Sequence, residues 1–241
     1  MSTTTTTMVP SVANPTSTLS YRFIEKVEKF TIIDIDKLQA IAIDSEAEDT
    51  QRGASNPLFG TGRCTTALAG LCFSTVEQIG IILRTDLRTS NDIKDAIKGG
   101  NLKNAISFFD FFSLNGLQSV TPAEIEAVYY LFRNKITHNL FPKHGLGAAQ
   151  NIANPLNQFV VSINGVYSLN VNFLADYIKN AVPIIKGLLG NPNNAGLIIT
   201  VDNNLQGIQA EEEHLLRNKY HHIGNGHLQP YFSQWLPNIT F

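Results

Sequence analysis

Cysteine is scarce in this chain, and its two copies, Cys64 and Cys72, are badly placed to pair. On a helix, residues eight apart are separated by about 12 Å along the axis, beyond the reach of a disulfide. Both are expected to be reduced, buried thiols, which fits a cytoplasmic location. A surplus of positive charge is also missing: the formal net charge is −2 and the isoelectric point about 6.3. That excludes a broad basic coat for nucleic acid and leaves any RNA contact to a local site, with no DNA expected. The opening residues are rich in Thr, Ser, Pro and Ala, with no basic n-region and no apolar run. Residues 1–19 therefore read as a disordered tail rather than a leader.

Long apolar runs are few. The one candidate, Cys64–Leu83, contains Glu77 and Gln78 and is flanked by Arg63 and Arg84. A buried core helix is the expected reading, and no membrane partner is. No Ser-His-Asp or Cys-His arrangement is legible. Gly60-Thr-Gly-Arg63 lacks the Lys-Ser/Thr of a phosphate-binding loop and reads as a turn.

What is present is mostly helical periodicity. At 241 residues there is room for one domain with a sizeable core. Ile24, Val27, Phe30/Thr31, Ile35, Leu38 and Ile41/Ala42 recur at three- and four-residue spacing across residues 20–48, and a loop is expected from Ser45. Residues 63–84 are apolar on nearly the whole circumference, which means burial on two sides. Further helices are expected over 86–101, over 102–114 with Phe108, Phe109, Phe111 and Phe112, and over 121–141. The texture then changes. Two short β-favouring runs within 159–169 flank Asn164-Gly165, the pair that a type I′ hairpin turn requires. Helix returns over 173–189, then a short strand at 197–201 and a polar helix over 206–220. The expected fold is mainly α: a helical bundle over 20–190 with a small hairpin after the fifth helix, and a C-terminal extension, 191–241, packed on the same domain.

The helix beginning at Thr121 is the most specific feature. Thr121, Pro122 and Glu124 form a capping box with proline at the first helical position. Its end carries Arg133 and, five residues on, His138, a cation for phosphate and a group that titrates near neutrality. On a wheel of about 100° per residue, Ile125, Val128, Tyr129, Phe132, Ile136 and Leu140 form an apolar stripe. Tyr130, Arg133, Asn134, Thr137 and His138 lie opposite. Arg133 and His138 are roughly 140° apart, so they straddle the polar face, and a shared phosphate is easiest to build at a twofold interface. The plain alternative is a solvated face that carries these side chains by chance. Glu77, on an otherwise apolar face with Gly70 and Gly80, needs a cationic partner, and Arg133 or Lys135 is the expected one.

Tyr130-Leu-Phe-Arg-Asn-Lys-Ile-Thr-His-Asn-Leu-Phe-Pro-Lys143 resembles the signature helix of the HEPN superfamily, Arg-x4–6-His with Asn, Asp or His after the Arg. The resemblance is specific over about fifteen residues and topological elsewhere. It implies an all-α bundle that forms a homodimer through facing motif helices and, in active members, cleaves RNA without metal or other cofactor. Carried over, Arg133 would hold the scissile phosphate, His138 would serve as general acid/base, and Asn134 would orient one of them. Tyr130, Thr137 and Lys135 would line the substrate. Many family members are instead non-catalytic binding modules on the same fold, and this is the alternative reading.

Two further patterns are weaker. His214, His221, His222 and His227 gather near the C-terminus, but their spacing matches no zinc pattern and no metal is expected there. Arg217 to His222 repeats Arg-Asn-Lys-x-x-His without an apolar stripe before it and reads as an echo of the first motif.

Overall fold

A helix that is apolar on almost every side has one stable place, the centre of the molecule. The computed structural model describes residues 12–51, 65–134, 136, 146–149, 158–163 and 166–221, without the side chains of 44–51, 146, 147, 149, 163, 166 and 216–221. In it α3 (Thr65–Leu83) takes that place. Twelve of its nineteen residues are buried, from Leu68 and Cys72 to Ile82. By length and apolar character alone α3 could cross a membrane. Here it is surrounded by α2 (Ile33–Gln51), α5 (Asn101–Leu114), α7 (Val171–Leu189) and α8 (Ala195–His221). Cys72 is fully buried, and burial pushes its thiol far above the ordinary range.

The closest approach is between α3 and α5. A Cβ on Gly80 would lie 1.9 Å from the Asn104 carbonyl oxygen, so only glycine lets the two backbones meet. Asn104 is itself buried and satisfied: its Nδ2 donates to the Ala96 carbonyl and its Oδ1 accepts from Arg84 Nη1, both at 3.1 Å. Arg84 also forks onto Asp86 at 2.8 and 2.7 Å. The last carbonyls of α3 have no helical donors. Asn204 of α8 supplies them, donating from Nδ2 to Ile82 O at 2.9 Å and Arg84 O at 2.7 Å.

The N-terminal segment is more ordered than its composition predicts. Residues 1–11 lie outside the described residues, but Pro15–Ser17 forms a 3-10 turn and Thr18 caps α1 (Leu19–Lys26), its hydroxyl accepting from Tyr21 N at 3.3 Å. The cap gives the unpaired N–H donors of the helix start an acceptor, which local composition alone does not weigh. α1 runs through a π-helical segment, Val27–Ile32, into α2, which continues to Gln51 past the loop expected at Ser45. The wider turn takes Phe30 off the buried stripe and leaves it 59% exposed, while Ile24, Val27, Ile35 and Ala42 stay buried.

α4 (Ser90–Gly99) starts at a capping box between Thr89 and Asp92. The aromatic run of α5 forms the second half of the core. Phe108, Phe109 and Phe112 are buried, and Phe109 meets Phe159 and Tyr177 edge-on, each with ring centroids 5.1 Å apart. Burial also pushes the Tyr177 hydroxyl up to about 12.

The β region holds one more strand than the sequence pattern showed. β2 (Val160–Ile163) and β3 (Val166–Asn170) pair antiparallel, with Ile163 opposite Val166. The Asn164-Gly165 pair lies outside the described residues. β1 (Leu146–Ala149) adds to the other edge of β3 in parallel, giving the order β1-β3-β2. Its Leu-Gly-Ala-Ala composition has little β propensity, so pairing with β3, not local preference, makes it a strand. The strand expected at 197–201 is instead helical, an early part of α8. Its apolar run is short enough to suit either state, and packing against α3 decides for helix.

The α3–α5 approach is directly testable. Gly80→Ala should lower the urea midpoint by the equivalent of about 3 kcal/mol, since the backbones must separate despite the better helix propensity of Ala. Gly70→Ala meets nothing within 4 Å and should be neutral or slightly stabilising. Equal midpoints for the two variants would rule out the close approach.

Candidate functional site

The motif helix begins as expected. Thr121 Oγ1 accepts from Glu124 N at 3.3 Å and Glu124 Oε2 accepts from Thr121 N at 2.9 Å, closing the capping box of α6 (Pro122–Val128). Beyond Val128 the helix widens into a π-helical turn, Tyr129–Arg133, in which Asn134 N donates to Tyr129 O, five residues back. Ile125, Val128, Tyr129, Phe132 and Ile136 are buried, so the apolar stripe is real over the described residues.

Arg133 is not where the wheel put it. A uniform 100° per residue places it about 140° from Val128, on the polar flank of the stripe. The π turn covers fewer degrees per residue, which swings Arg133 back toward the azimuth of Val128 and the protein interior. Its side chain is only 12% exposed and meets Glu77 of α3, itself 13% exposed. The contact is a two-pronged fork: Nε to Glu77 Oε1 at 2.7 Å and Nη2 to Glu77 Oε2 at 2.8 Å.

Asn101, the first residue of α5, completes the cluster. With its amide oriented to satisfy both neighbours, its oxygen accepts from Arg133 Nη2 at 2.8 Å and Nη1 at 3.3 Å. Its nitrogen then donates to Glu77 Oε2 at 3.2 Å. Asn134 Oδ1 accepts from Arg133 Nη1 at 3.4 Å. The charges of Glu77 and Arg133 thus cancel inside a set of amides. Tyr129 stands beside them. It packs edge-on against Phe73 with ring centroids 5.5 Å apart, and its buried hydroxyl has no hydrogen-bond partner among the described residues. Burial pushes that hydroxyl well above the usual phenol range, and the nearby Glu77 carboxylate pushes it further.

Two open clefts adjoin this cluster. One, of about 560 Å³, lies over the polar flank of the motif helix, where Tyr130 and Asn134 face Asn101, Leu102 and Glu126. Tyr130 is 63% exposed. The other, of about 710 Å³, runs between α1, α3, the α4–α5 junction and α8, and is lined by Glu77 and Asn101 at the cluster. Asn101 lines both.

The structure brings together Arg133, Asn134, Tyr130 and Glu77 of the sequence-derived candidates. His138, Thr137 and Lys135 lie outside the described residues, as do His222 and His227. The side chains of Arg217 and His221 do too. His214 is exposed on α8. Among the described residues no group of three or more His, Cys, Asp or Glu side chains gathers as a metal site would require. Sequence reasoning missed Asn101, taken only as a helix boundary, and Tyr129, assigned to the stripe for its ring without regard to its hydroxyl. An Asn directly after Gly99-Gly100 was the available signal for the first. Comparisons with protein-family models, with curated proteins and with solved structures find no match to this chain.

Removing either half of the Glu77–Arg133 pair leaves a largely buried charge. Glu77→Met and Arg133→Met should each destabilise by about 3 kcal/mol, the low end for a buried pair because both side chains keep some solvent contact. The double variant should recover most of that loss. A double-mutant cycle in urea measures it, and additive losses would rule out the coupling.

Proposed function

We propose that this chain is a helical binding module without nuclease chemistry, and that the cleft over the motif helix, around Tyr130 and Asn134, is its binding surface. The Glu77–Arg133 fork carries the reading. A guanidinium that commits Nε and Nη2 to a carboxylate has little field left for a phosphate. Recruiting Arg133 to a scissile phosphate would break the fork and leave Glu77, a like charge, beside the phosphoryl group whose transition state must be stabilised.

The resemblance to the HEPN superfamily bears on the ligand. An exposed aromatic ring flanked by the amides of Asn101 and Asn134 offers a face for an unpaired base and polar groups for its edge, so single-stranded RNA is the proposed occupant. A homodimer belongs to the proposal only through the resemblance. The wheel argument for a second copy needs Arg133 on a shared phosphate, and Arg133 is held by Glu77 of its own chain.

The test is incubation with single-stranded and structured RNA in EDTA, scored for binding and for cleavage. The wild type should bind single-stranded RNA and leave both substrates intact. Tyr130→Ala should weaken binding on the order of tenfold through loss of stacking. Cleavage by the wild type that both Arg133→Ala and His138→Ala abolish would overturn the non-catalytic reading. Absence of RNA binding would overturn the ligand.

A further inference from the structure

The larger cleft lies apart from the motif-helix surface and has a different chemistry. Its floor is aliphatic: Ile81 and Ile82 of α3, Ile97 of α4, and Leu205 and Ile208 of α8, with Phe23 of α1 at one side. Along α3 the lining runs from Ser74 to Ile82, roughly 12 Å at the helical rise. The volume of about 710 Å³ falls within the range of pockets that enclose a small organic ligand.

The rim is charged on one side. Arg22 and Lys26 of α1 stand one turn apart, both exposed, and both line the cleft. Neither has an ion-pair partner among the described residues, whereas the Glu77 carboxylate in the same cleft is already neutralised by Arg133. Two exposed cations on the rim of an aliphatic trough complement a molecule with one anionic head and a long apolar body. A nucleic acid suits this surface poorly, because Phe23 is the one aromatic ring among the described residues of the lining and base stacking needs more. Glu77 and Glu212, both in the lining, disfavour a second negative charge on the same ligand.

We propose that this cleft binds a single-headed aliphatic anion, its carboxylate between Arg22 and Lys26 and its chain laid over Ile81, Ile97 and Ile208. The proposal is independent of the RNA-binding surface: the two sites share Asn101, but neither the head nor the chain of this ligand uses Tyr130.

Isothermal titration calorimetry on the full chain with dodecanoate, below its micelle concentration, tests this. One molecule should bind per chain, and shortening the chain to decanoate and octanoate should weaken binding about fourfold per methylene. Arg22→Ala/Lys26→Ala, on an exposed rim and checked for an unchanged Tm, should weaken dodecanoate at least tenfold. Ile208→Gln, which keeps the rim, should weaken it through the floor. Dodecanedioate should bind more weakly than dodecanoate. Equal binding of dodecyltrimethylammonium, equal binding by the rim variant, or no binding by the wild type would each overturn the proposal.

Discussion

The burial of α3, on all but a narrow stripe at Ala67, Ser74 and Gln78, is the constraint from which the rest of this fold follows. A helix whose apolar residues occupy nearly the whole circumference must be enclosed on those sides, and α2, α5, α7 and α8 do so. Enclosure creates two obligations. The backbones must come close enough to exclude voids, which Gly80 allows against Asn104. Every polar group carried inside must also find a partner. Asn204 meets that need at the C-terminal carbonyls, and Arg133 meets it at Glu77. A carboxylate on the central helix is costly by itself, and it holds the motif helix in place only because a guanidinium answers it with matching geometry.

This changes what Arg133 means. In a linear motif an arginine followed by a histidine suggests phosphate chemistry. In three dimensions a guanidinium does whatever its nearest carboxylate permits. Here that carboxylate comes from the helix most deeply buried in the protein, and two amides reinforce the pair. The same residue that drew attention to the helix is the one most firmly held by structure. The groups that line the open cleft are its neighbours, Tyr130 and Asn134, on the other flank of the helix.

The helical character, the caps at Thr121 and the burial of α3 were all legible in the sequence, because each rests on local spacing or local chemistry. The need of Glu77 for a cation was legible too, since a lone carboxylate among glycines and apolar residues is a recognisable debt. Three things were hidden. The π turns at Val27–Ile32 and Tyr129–Arg133 leave no mark in a periodicity count, yet each redirects a side chain, Phe30 outward and Arg133 inward. β1 exists through a non-local partner, so its own residues do not announce it. The larger cleft is built from elements far apart in the chain, and no spacing rule joins Arg22 to Ile208.

Asn101 deserves to be seen as a shared resource. Its one amide lines two clefts and serves both members of the ion pair, with its oxygen on Arg133 and its nitrogen on Glu77. A ligand in either cleft that draws on this amide alters what the other cleft is offered. Thermodynamic linkage makes any such effect reciprocal: whatever factor one occupant imposes on the other is returned unchanged. For ligands that engage it, this side chain at the head of α5 joins the two clefts in one equilibrium.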